Sequence, residues 1–200
     1  KQYYFDRITL AAGRLSNLIA DVLNYSRIEN KEQYFEEVDL NNVLLQVQSD
    51  LSMVIEEKNA IINVDPLPKV LGLDTQLGQL FYNLINNALK FNSTQPTVTI
   101  SYGDIPKDET LVVNPENCEV ISIADNGIGM DNKYSARIFD MFQRLHERDQ
   151  YGGNGIGLAL CRRIIENHNG LINFNSTPDE GTIFWIYLPK NKVSSPKILN

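Results

Sequence analysis

Residues 77–91, LGQLFYNLINNALKF, put Leu77, Leu80, Phe81, Leu84, Ile85 and Ala88 on one broad face of a predicted helix. At about 100° per residue, Asn83, Asn87 and Lys90 fall within an arc of roughly 60° on the other side. Such a helix buries its apolar face on a sheet and keeps a polar stripe of two carboxamides and an ammonium. The neighbouring segments supply that sheet. FEEVDL (35–40) reads as a short strand before a helix capped by Asn41 or Asn42 and running through Lys58, and IINVDPL (61–67) reads as a strand ending in a Pro-bearing turn. A helix from Thr75 to Phe91 comes next. VTISY (98–102) and CEVISIADN (118–126) follow as strands, LALCRRIIENH (158–168) as a helix, and NGLINFNS (169–176) with GTIFWIYLP (181–189) as a closing hairpin. Mixed helices and strands with a late antiparallel pair predict an α+β two-layer sandwich.

The chain's start differs. From Tyr4 to Glu29 the series Phe5, Ala12, Ile19, Ser26 and Ile8, Leu15, Val22 repeat every seven residues with no Pro, the mark of a long helix with a narrow seam that needs partner helices. Polar residues at 29–33 break that pattern. We therefore divide the chain into a bundle helix (1–30), a main domain (31–189) and a tail (190–200). KQYYFDRI lacks the basic and apolar regions of a signal peptide and begins inside a helix, so a fragment of something longer is expected.

The 200 residues are 42% apolar and 22% charged, a globular composition, and no run approaches the ~20 apolar residues of a membrane span. The net charge of −7 without a Lys/Arg cluster argues against a nucleic-acid partner. Cys118 and Cys161 show neither the paired spacing of a zinc site nor a disulfide framework, which predicts a reducing, cytoplasmic setting, whether or not a parent protein is anchored in a membrane upstream.

Three motifs carry candidate chemistry. The stripe of Asn83, Asn87 and Lys90 can offer neutral oxygens to a hydrated Mg²⁺ and donors to phosphate. ISIADNGIGM (121–130) ends a buried strand with Asp125 beside Gly127 and Gly129; the carboxylate can accept from an exocyclic amine while Cβ-free backbone lets a flat ring approach. GGNGIGLAL (152–160) places Gly153, Gly155 and Gly157 before a helix, which aims amides at an anion, but without the strand or spacing of a dinucleotide fingerprint.

In this order the motifs resemble the N, G1 and G2 boxes of the GHKL nucleotide-binding superfamily, most closely sensor histidine kinases of the phytochrome and PAS type. IFDMFQRLHERDQY (138–151) is similar to the family's F box and ATP lid, and EGTIFWIYLP (180–189) to its G3 segment and last strand. RLSNLIADVLNYSRIEN (14–30) resembles the second helix of a dimerisation and phosphotransfer hairpin. The resemblance implies a Bergerat-type fold that binds ATP and Mg²⁺ and transfers the γ-phosphoryl group to a histidine upstream, in a two-component phosphorelay. It implies that Asp125 holds the adenine amine with Thr182 and water beside the ring. Asn87 and Asn83 would hold the metal, and Lys90 and Arg144 the phosphates. Gly127, Gly129, Phe142, Gly153, Asn154, Gly155, Gly157 and Leu158 would shape the nucleotide site and its lid. Implied partners are the phosphoacceptor hairpin, a response regulator and a second copy joined through the bundle helix.

Two departures stand out: Asn154 replaces the usual Thr or Ser between glycines, and Gly72, Leu73, Asp74 replaces a Gly-Asp pair. His146 and His168 lack the acidic residue and Pro of an acceptor box, so neither is expected to be phosphorylated; an imidazolium at His168 would suit the end of its helix. Other readings are a GHKL-type ATPase, disfavoured because Asn83 stands where a general-base Glu would be, and a nucleotide-gated interaction module. Flexibility is expected between Asp131 and Gly153, with Phe139 and Phe142 as lid anchors.

Overall fold

The computed structural model describes residues 34–103, 117–131, 134, 137–143 and 154–190, together with the helical positions Phe5, Thr9, Gly13, Ile19 and Leu23. Phe5, Ile19 and Leu23 are exposed. The rest of the seam helix, the tail beyond Lys190, Arg144, His146 and Gly153 lie outside the described residues, as does most of the expected lid.

Strand β1 (Glu36–Asp39) leads directly into helix α1 (Leu40–Asp50) and a short α2 (Ser52–Glu57). The N-cap is Asp39, whose Oδ1 accepts from the Asn41 amide at 2.9 Å, and not Asn41 or Asn42 as the sequence suggested. Asn41 is engaged elsewhere, because its side chain bonds both the N–H and the carbonyl of Leu67. The predicted single helix through Lys58 is interrupted at Leu51, which is buried and turns out of helical geometry. β2 (Ile61–Val64) is followed by an unpredicted strand, β3 (Lys69–Gly72), antiparallel to β1 with Val38 opposite Val70. Pro66 and Pro68 precede a segment too short to show periodicity, which hid it.

The main sheet has the order β2, β4 (Thr97–Tyr102), β5 (Cys118–Asp125), β7 (Gly181–Pro189), β6 (Leu171–Thr177). Among the described residues, only the β2–β4 pair of this sheet is parallel. Helices α3 (Asp74–Lys90) and α4 (Gly157–Asn167) cover one face. Leu77, Leu80, Phe81 and Ile85 of α3 are fully buried against Ile100, Ile121 and Ile186, and each such side chain contributes roughly 1.5–3 kcal/mol by leaving water. The predicted apolar face is thus the core face. Cys118, Val120, Trp185 and Tyr187 form a smaller cluster on the opposite side of the sheet. Among the described residues no helix is long and apolar enough to cross a membrane.

His168, just beyond α4, is 3% exposed. Its Nδ1 donates to the Ile164 carbonyl at 2.8 Å, which leaves Nε2 to accept the Leu73 amide at 3.1 Å, one residue before α3 begins. The ring is neutral, and burial pushes its pKa down. An imidazolium would suit this helix end, but the surroundings offer the ring one acceptor, the Ile164 carbonyl, and one donor, the Leu73 amide, which hold it neutral.

Candidate nucleotide site

The site sits where the C-terminal ends of α3 and β5 meet the β6–β7 turn and the start of α4. Asp125 closes β5, and its Oδ1 accepts the Gly127 amide at 2.8 Å. Burial raises its pKa against the lowering effect of the Gly127 and Thr182 amides. A carboxylate held this way gains by accepting a further donor.

The turn after Asp125 is latched on two sides. Toward α3, Ile128 donates to the Phe91 carbonyl at 3.0 Å. Asn126 accepts from Asn92 Nδ2 (2.7 Å) and the Thr97 amide (2.8 Å), and donates to the Gln95 carbonyl. Toward the hairpin, Asp179 donates to the Ile128 carbonyl at 2.8 Å, and Met130 to Ser176 Oγ at 2.8 Å. Glycine is dictated here by close approach. A Cβ at Gly129 (φ +63°) would lie 1.9 Å from the Thr177 carbonyl oxygen, and one at Gly127 2.5 Å from that of Phe91. These two glycines let backbone meet backbone.

On α3 the stripe divides. Asn83 faces the start of α4: its Oδ1 lies 3.6 Å from where a Gly157 Cβ would be, and its amide stands beside Cys161. Its Nδ2 is buried and, among the described residues, has the Cys161 sulfur as the acceptor beside it. Asn87 is half-buried, and Lys90 Nζ lies 4.3 Å from the Phe91 ring centroid. In the glycine-rich segment, Gly155 (φ +70°) accepts from the Phe142 amide at 2.8 Å, Ile156 is buried and Leu158 packs on the core. Asn154 is half-buried. Phe139 meets Phe174 edge-on with centroids 5.9 Å apart, whereas Phe142 is exposed. Phe139 therefore anchors its segment by packing and Phe142 by its backbone.

The residues fit a nucleotide. A carboxylate raised by burial suits an amine, and among the described residues only Asn83 comes within 4 Å of a Cβ placed at Gly157, at the amide-bearing end of α4. For a metal, no group of three His, Cys, Asp or Glu side chains among the described residues could cage one. The donors are carboxamides, which suits a cation supplied largely by phosphate oxygens and water. A separate cavity of about 480 Å³ lies between α4 and the edge strand β6, lined by Phe139, Arg162, Ile165 and Phe174; it contains none of the predicted site residues.

Two contributors were missed in the sequence: Ser176, and Asn126 with Asn92. Ser176 had a signal, since it shares the strand phase of the core residues Ile172 and Phe174 and is itself buried.

The family model described as "Histidine kinase-, DNA gyrase B-, and HSP90-like ATPase" matches residues 72–192. The chain is 42% identical over 176 residues to Cyanobacterial phytochrome A of Nostoc sp., covering 88% of this chain and 22% of that protein. It is 36% identical over 186 residues to Phytochrome-like protein Cph1 of Synechocystis sp., covering 93% and 24%. Among solved structures, full-length ShkA in complex with AMPPNP superposes with a TM-score of 0.73 at 26% identity, over 98% of this chain and 40% of that one. The chain thus spans about a quarter of the length of these two curated relatives.

Proposed function

Because the chain belongs to the family of histidine kinase-, DNA gyrase B- and HSP90-like ATPases, we propose that it is the ATP-binding catalytic part of a two-component sensor histidine kinase. It transfers the γ-phosphoryl group of ATP to a histidine outside residues 1–200. The observation that carries this reading is Asp125: a half-buried carboxylate at a strand end, in a turn latched to both α3 and the hairpin. The AMPPNP complex of ShkA and the phytochrome relatives support it.

In this reading Asp125 accepts the adenine amine, with Thr182 beside it. Asn87 and Asn83 hold the cation. Lys90 and Arg144 orient the phosphates, and the segment from Gly153 to Leu158 offers amides to them. Bound Mg²⁺ would neutralise phosphate charge. In the transfer the bond from the γ-phosphorus to the bridging oxygen breaks as an imidazole nitrogen bonds the phosphorus, and ADP leaves with the bridging electrons. The chain contributes positioning and charge complementarity, which dominate phosphoryl transfer. Hydrolysis is not favoured, because Asn83 has an amide where water activation would need a base. A cytoplasmic setting, a response regulator as the next acceptor and dimerisation through the seam helix (1–30) complete the proposal.

The test uses this chain, an upstream hairpin bearing the acceptor histidine, and Mg-ATP. We expect almost no acid-labile phosphate on the chain alone, transfer when the hairpin is added, and loss of transfer in Asn87→Ala. Stoichiometric phosphorylation of the chain alone, mapped to His146 or His168, would contradict the proposal.

A further inference from the structure

Asp125, Thr182 and Ser176 form one row across three adjacent strands. Asp125 is the registered partner of Thr182, and Thr182 that of Ser176, so all three side chains share a face. It is the helix-covered face, because Ile123, Phe184 and Phe174 occupy the next row in the core.

The proton inventory of this row is determined. Ser176 Oγ lies 3.0 Å from the Gly181 carbonyl, which can only accept, so the serine proton goes there. Met130 donates its amide to the same Oγ at 2.8 Å. The remaining contact, 2.8 Å to Thr182 Oγ1, must then carry the threonine proton toward serine. Ser176 thereby uses one donor and two acceptors, the full capacity of a hydroxyl. Thr182 is left with lone pairs and no proton to give. Both side chains are buried, Ser176 at 4% and Thr182 at 8% exposure, so no bulk water competes for these bonds.

From this we infer that Ser176 is a positioning residue that makes the base-recognition end of the site acceptor-only. By consuming the Thr182 proton, it sets a hydroxyl oxygen beside the Asp125 carboxylate, and the pair then selects a base edge presenting N–H donors, directly or through a water that donates to both. A base with a carbonyl in place of the amine sets an acceptor where the Asp125 carboxylate needs a donor, and only the ring N–H beside that carbonyl can still donate. The inference rests on the reading of Asp125 and Thr182 as the base site.

The test is calorimetric titration of the chain with ATP and with ITP, whose base carries a carbonyl in place of the amine and an N–H in place of the neighbouring ring nitrogen. In Ser176→Ala the threonine proton is released, and we expect the ATP-over-ITP preference to shrink by roughly five- to tenfold. Ser176→Thr, which keeps the hydroxyl, should retain it. In a Thr182→Val background, Ser176→Ala should change the preference no further, because serine acts through threonine. If Ser176→Ala weakens both nucleotides in parallel with the preference intact, the residue is only structural and the inference fails. Should Ser176→Ala not fold, Ser176→Cys, near in volume and a weak acceptor, gives the same comparison. Asp125→Asn separates the two levels: unchanged ATP affinity there overturns the base site itself, whereas a large loss there with no effect at Ser176 overturns only this inference.

Discussion

Buried His168 and half-buried Asp125 respond to pH in opposite senses. His168 has a folded pKa below the ordinary 6.5, so the unfolded chain takes up a proton first as pH falls. Its contribution to stability is fully present above 6.5 and declines as pH drops below it toward the folded value. Urea midpoints measured from pH 8 to pH 5 should therefore fall more steeply for the wild type than for His168→Gln; parallel curves would show that the ring is protonated or solvated in the fold. Asp125 has a raised folded pKa, so its charge costs stability as pH rises from 3.8 through that value. Only its carboxylate accepts an amine. Adenosine affinity should thus begin to fall on acidification while an ordinary Asp is still ionised, and titration of binding against pH checks this.

Among elements, the G1 turn joins the layers. Gly129→Ala would force a Cβ to within 1.9 Å of the Thr177 oxygen at a positive φ. We expect it to prise the turn from the hairpin, costing more than the ~1 kcal/mol of a left-handed backbone alone and abolishing nucleotide binding; a melting point within a degree of wild type would refute this account of the turn. Leu80→Ala, at a position with no exposure in α3, should cost about 2–5 kcal/mol, read from denaturant midpoints. The apolar face of α3 was legible in sequence because helical periodicity survives over several turns. β3 was not, since four residues between a proline and a helix carry no period. The cap at Asp39 was also obscured, as Asn41 is an equally good capping residue, and only its distant bonds to Leu67 show that it is engaged elsewhere. In the site, Asp125, Gly127 and Gly129 announced themselves by local chemistry. Ser176 shows only as one more residue in strand phase, and its bond to the Met130 amide spans 46 residues; away from the site, His168 meets its Leu73 partner across 95 residues, and no local pattern encodes either pairing.

For the whole molecule, the architecture sets one face of α3 against a sheet and leaves its Asn stripe beside α4 and the latched turn, so site and core are two faces of the same elements. The exposed Phe5, Ile19 and Leu23 near the start belong to a helix whose seam calls for a partner, and sedimentation should show concentration-dependent self-association that deletion of residues 1–30 removes. The central claim is that Asp125 anchors an adenine nucleotide, and calorimetric titration with ATP tests it most directly. The account predicts measurable binding by the wild type and an affinity roughly ten- to a hundredfold lower in Asp125→Asn, the loss of one charge-assisted hydrogen bond; an unchanged affinity in that variant would contradict it.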